Sequence, residues 1–143
     1  MSGIDWYEVA GRPGFGVGID DREVDSHLLT PASVKERYAL ALPNVRTAAW
    51  RDHASGTAGV ISDHGEITWS LRHGQVVALA MVRPGKGSGW TQLELRTPEE
   101  KPISLAFSRR FTPEYSTWIT ALAEAVARVT GLELILEDGG CDA

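Results

Sequence analysis

Phe111-Thr112-Pro113-Glu114 opens a helix and Gly131 closes it, and the residues between them constrain the chain more than any other segment. Threonine is a good N-cap, proline suits the first helical position, and glycine accepts the left-handed backbone that ends a helix. Inside, Tyr115, Trp118, Ile119, Leu122, Val126 and Val129 recur at three- and four-residue spacing. That stripe is apolar on one side only, so it needs a broad apolar surface to cover, and a sheet supplies one.

The sheet is legible upstream, where the apolar period drops to two. Residues 45–50 and 57–61 read as short strands. In 66–72, Ile67, Trp69 and Leu71 alternate with Thr68, Ser70 and Arg72. Residues 75–83 are apolar on both faces, as a central strand should be, and 90–97 set Leu93 and Leu95 against Gln92, Glu94 and Arg96. Ile103, Leu105 and Phe107 then predict the inward face of a last strand. Turn residues Asp63-His64-Gly65 and His73-Gly74, and a proline-bounded link over 97–102, join them by short connections, which favours an antiparallel meander. Thr30-Pro31 predicts a shorter helix to about Leu42, ended by Pro43, with Val34, Tyr38, Ala41 and Leu42 as its apolar face. After Gly131, residues 132–136 alternate weakly and could add an edge strand. The expected fold is therefore α+β: one bent antiparallel sheet of about six strands, capped by the C-terminal helix, with a short helix before the sheet. Residues 1–29, rich in glycine and then acidic, are expected to form an arm, 30–138 the single domain, and 139–143 a polar tail.

Composition narrows the function classes. A chain of 143 residues can bury a core without staples, and its net charge of −5 disfavours nucleic acid and anionic lipid as partners. Cys141 is the single cysteine, the start has no basic and apolar leader, and the apolar run 76–82 is too short to span a bilayer. These features predict a cytoplasmic protein without disulfides.

The run 103–107 followed by Glu114, Trp118, Ile119, Ala121, Leu122 and Ala125 resembles the close of a pleckstrin-homology-like domain, in which a final strand leads into a tryptophan-bearing helix that plugs a bent sheet. The resemblance covers 45–129 loosely. The helix before the strands, the edge strand that 132–136 could add after Gly131 and the missing seventh strand depart from it, and the loop 50–57 lacks the lysine and arginine cluster of phosphoinositide-binding members. It implies a scaffold for protein partners more than for lipids.

Catalytic constellations are thin. His64 and His73 flank one strand, which at about 3.3 Å per residue puts them on the order of 20 Å apart, too far to share a metal. His53 and His73 fall at one end of the expected sheet, with Asp52 available to orient an imidazole; this is the best acid–base candidate, and polar turn residues are more often merely solvated. No metal-ligand spacing and no cofactor fingerprint is present: Gly85-Lys86-Gly87-Ser88-Gly89 lacks the spacing and the helix of a phosphate loop, and Gly14, Gly16 and Gly18 do not follow a strand. Arg109 and Arg110 before the helix cap, and Cys141 in the tail, have bland readings as surface residues.

Recognition is better provided for. Trp69 and Trp118 belong to the core, whereas Trp6 with Tyr7, and Trp90 with Arg83 and Arg96, have the composition of interface hot spots. Asp20, Asp21, Glu23 and Asp25 would suit a basic partner. The sequence thus favours a non-enzymatic protein-binding module of inhibitor or immunity type that masks a basic surface. Two alternatives stay open: a small ligand-binding protein or enzyme using His53 and His73, and a structural component of a homo-oligomeric assembly.

Overall fold

The computed structural model describes residues 3–9, 17–19, 29–42, 44–62, 65–71, 76–83, 89–97, 100–108 and 113–141. Alternation in the middle of the chain produces strands β3 (Thr47–Asp52), β4 (Thr57–Ser62) and β5 (Gly65–Ser70), then β6 (Val76–Arg83), β7 (Trp90–Thr97) and β8 (Glu100–Ser108). Before them come β1 (Ile4–Val9), β2 (Val17–Ile19) and helix α1 (Ala32–Ala41); after them, helix α2 (Pro113–Thr130) and β9 (Glu133–Cys141).

The six expected strands do not share one sheet. β3, β4 and β5 join β1 in a four-stranded sheet ordered β1-β3-β4-β5, and β6, β7 and β8 join β2 and β9 in a five-stranded sheet ordered β2-β8-β7-β6-β9. All pairings are antiparallel except β9 with β6, and α2 is the long crossover that a parallel neighbour requires. The short link after β5 suggested a hairpin from sequence, yet the chain changes sheets there. Short corners of this kind are what packed sheets use to face one another.

Three further expectations are corrected. Residues 4–9, assigned to an arm, form an edge strand in register with β3, Trp6 opposite Trp50. The tail expected from Gly139 onward continues β9, whose last residue Cys141 lies opposite Arg83. Third, a register shift between Leu93 and Glu94 breaks the alternation of β8, so Ala106 and Ile103 stand opposite Leu93 and Leu95 while Phe107 stands opposite Gln92.

The main core lies between the two sheets and α2. Val60, Ile67 and Trp69 come from one sheet, Val77, Leu79, Leu93, Leu95 and Leu105 from the other, and Trp118, Ile119, Leu122, Val126 and Val129 from α2. Each such side chain fully buried contributes about 1.5–3 kcal/mol of transfer free energy, so α2 is held chiefly by this stripe. Gly131 ends it as expected, at φ 73° with its amide donating to the Ala127 carbonyl at 2.9 Å.

The opposite face of the four-stranded sheet carries a smaller cluster in which Val34 and Tyr38 of α1 cover Ala48, Trp50 and Ile61. Here the expected cap fails. The residue before the helix is Pro31, with no side-chain cap. Thr30 is buried, and its hydroxyl lies 3.2 Å from that of Thr68 across the sheet. Leu42, expected on the apolar face, is exposed, as are Leu29 and Leu40.

Candidate functional site

The sheet edge at β1 gathers more recognition chemistry than any other described surface. Among the described residues β1 is an edge strand whose one strand neighbour is β3. Successive residues point to opposite faces. Trp6 therefore points toward α1, where the Arg37 guanidinium stands 4.9 Å from its ring centroid and its indole N–H donates to Glu8 at 3.3 Å. Tyr7, 39% exposed, points toward α2, where Arg128 stands 5.9 Å from its ring. An arginine over an aromatic face contributes roughly 0.5–1 kcal/mol at an exposed site and holds the ring in one orientation.

His53 belongs to the same edge. Its Nε2 lies 2.8 Å from Asp5 Oδ2, both side chains about half exposed, and its amide donates to the Gly3 carbonyl at 2.7 Å. Asp5, not Asp52, is thus the carboxylate that orients this imidazole. Asp52 is occupied by the β3–β4 turn: it accepts from the Ala54 amide at 3.1 Å and from the Ser55 hydroxyl at 2.8 Å. The turn closes at Gly56, φ 68°, whose amide donates to the Asp52 carbonyl at 3.0 Å and whose carbonyl accepts from the Leu71 amide at 2.9 Å. His73, the other half of the acid–base candidate, lies outside the described residues. Among the described residues no group of three or more His, Cys, Asp or Glu side chains could hold a metal ion.

The second aromatic candidate separates. Trp90 begins β7 and Arg96 lies near its end, on the order of 20 Å away at the rise of a strand, so they do not form one patch. Arg96 is engaged elsewhere: its Nε donates to Glu94 at 2.7 Å and a terminal nitrogen donates to Glu137 of β9. It reaches β9 across β6, where the intervening outer-face residues are the small Ala78 and Ala80. The hydrogen bonds to Glu137 and then Glu94 hold this guanidinium more firmly protonated than an ordinary arginine. Its contribution is therefore complete below the ordinary arginine value and lost only at still higher pH, so it adds no pH dependence near neutrality. Of Arg83 the backbone alone is described. Asp20, Asp21, Glu23 and Asp25 lie outside the described residues, as do the glycine-rich segments around Gly14 and Lys86 and the pair Arg109-Arg110. No helix among the described residues is long and apolar enough to cross a membrane.

Sequence reasoning missed Asp5, Arg37 and Arg128. The signal for Asp5 was the β-rich run Ile4-Asp5-Trp6-Tyr7-Glu8-Val9 itself, obscured by the glycines that follow. The two arginines carried none, because their rings are contributed from other elements. Compared with known proteins, the chain matches no family model, no curated protein and no solved structure.

Proposed function

We propose that this chain is a non-enzymatic protein-binding module that grips its partner along the β1 edge. The observation that carries the reading is the pair of partly exposed aromatic rings, Trp6 and Tyr7, each with an arginine over it, on a strand that is a sheet edge among the described residues. Tryptophan, tyrosine and arginine dominate interface hot spots because they offer large, stiff, amphipathic surfaces. An open strand edge adds backbone hydrogen bonds to a partner. The net charge of −5, with Asp20, Asp21, Glu23 and Asp25 between β2 and α1, suits a basic partner surface, as an inhibitor or immunity-type protein acting in the cytosol would need. The resemblance of residues 103–107 and the Trp118-bearing helix to the close of a pleckstrin-homology-like domain would imply a protein partner as well, although the strands here divide between two sheets. The alternative of an enzyme working through His53 and His73 draws no support from Asp52, both of whose oxygens serve its own turn.

The test is affinity capture from native lysate with three forms: the intact chain, Trp6→Ala with Tyr7→Ala, and a form with the four acidic residues at 20–25 neutralised. A stoichiometric partner should come with the intact chain. Losing the two rings should weaken it by about 2 kcal/mol or more per hot spot, roughly thirtyfold each. Melting curves of each form check that folding survives. No partner for the intact chain sinks the binding reading; undiminished capture by the ring variant moves the contact away from β1.

A further inference from the structure

We infer that β9 is a docking edge for an extended segment of a partner protein, apolar at its centre and flanked by lysine or arginine, which joins the five-stranded sheet as a further strand. β9 ends that sheet and, among the described residues, pairs with β6 alone. It is 9 residues long, against a usual strand of about 5–6. Ile135 is 36% and Leu136 63% exposed. Being consecutive, they project to opposite faces, so an incoming strand meets an apolar side chain on each. Edges that must stay single are normally guarded by lysine, proline or a bulge beside the greasy residues. The residues beside this pair are Glu133, Glu137 and Asp138, charges that guard against an acidic strand and admit a basic one, and the irregularity in the pairing with β6 falls beyond them, between Asp138 and Cys141.

Charge decides the occupant. The register sets Glu133, Ile135 and Glu137 opposite Val76, Ala78 and Ala80, on one face of the sheet. A second copy of the chain, paired antiparallel about Ile135, would place Glu133 opposite Glu137 twice. Pairing Ile135 with Leu136 would place Glu133 opposite Asp138 twice, and pairing about Leu136 would bring the two Glu137 residues diagonally together. Like charges in these positions oppose pairing, and Arg96, the one nearby cation among the described residues, is already shared between Glu94 and Glu137 of its own chain, which leaves Glu133 uncompensated in any such pair. Arg96 already compensates Glu137, whereas Glu133 has no cationic partner among the described residues, so it is the position a partner's lysine or arginine would face. The backbone ladder supplies the affinity of such an added strand, and the side-chain alternation its specificity.

Fluorescence anisotropy on the full chain tests this with a labelled peptide, Lys-Val-Lys-Val-Ile-Val-Lys-Val-Lys, and its counterpart with glutamate for lysine. The basic peptide should bind and the acidic one should not. Leu136→Lys should weaken binding roughly tenfold or more, the equivalent of about 1.4 kcal/mol. Glu133→Lys, which keeps both apolar residues, should shift preference toward the acidic peptide. Equal binding of the two peptides, or no effect of either substitution in a chain that melts normally, overturns the inference. A dimer in sedimentation that dissociates on Leu136→Lys also overturns it, in favour of self-pairing. The β1 reading is judged separately, by lysate capture with these same variants, because Trp6 and Tyr7 belong to the other sheet.

Discussion

A Cβ on Gly59 would lie 2.5 Å from Cζ2 and 2.7 Å from Cε2 of Trp50, and against the carbonyl oxygen of Ile67. Trp50 is the direct cross-strand partner of Gly59, and its indole, wholly buried, lies across the space that a side chain would fill. The ring can neither move outward, where Val34 and Tyr38 of α1 close the cluster, nor inward through the sheet. Gly59→Ala should therefore cost about 1–3 kcal/mol by overpacking, read as a lower urea midpoint at unchanged slope. Trp50→Leu in the same chain should remove only the indole's share of that penalty, because the added Cβ also meets the backbone carbonyl oxygen of Ile67. A cost for Gly59→Ala that persists undiminished without Trp50 would locate the problem in the backbone instead. Gly56 makes the contrasting case: nothing lies within 4 Å of its Cβ position, and its requirement comes from the left-handed φ alone.

The two helices differ in what holds them. α2 buries a full stripe in the main core and ends on Gly131. α1 has 10 residues, no side-chain cap, no acidic residue in its first turn and no basic one in its last. An isolated helix of that length is marginal in water. Its anchors are Val34, Tyr38 and the bond from the Tyr38 hydroxyl to the Arg46 carbonyl at 2.8 Å. Backbone amides of α1 should exchange with solvent well before those of the second half of α2, measured by hydrogen–deuterium exchange at neutral pH. Equal protection in both would mean that α1 opens only with the whole fold. This contrast also shows what the sequence makes legible. The period of α2 and of β7 is written in consecutive residues, so both could be read directly. Thr30 was misread because cap chemistry is local, whereas its actual partner, Thr68, is 38 residues away and belongs to a strand that only folding brings beneath it. The sheet order is equally non-local: nothing within β5 or β6 states that their neighbours are β4, β7 and β9. The β1 site was half legible, its rings in the sequence and its arginines and Asp5–His53 contact only in the fold.

At the scale of the whole molecule, β3 and β4 tie the two apolar clusters together. Ala49 and Val60 face the main core, while their neighbours Ala48 and Ile61 face the cluster under α1. The four-stranded sheet thus has no face that can lose its cover without exposing the other cluster's supporting strands. Leu122, wholly buried in α2, meets the main core that both sheets share. Leu122→Ala should cost about 2–5 kcal/mol, the range for truncating a core leucine where neighbours relax only partly. It should shift the denaturation midpoints seen by tryptophan fluorescence and by far-UV circular dichroism by the same amount. The probes are well placed for this comparison, since Trp69 and Trp118 lie in the main core and Trp50 behind the sheet. Coincident curves in both forms mean one cooperative unit, in which early exchange of α1 is a local opening within the native state. Curves that separate in the variant would mean that the cluster under α1 survives loss of the main core, and that the two faces of the sheet are stabilised independently.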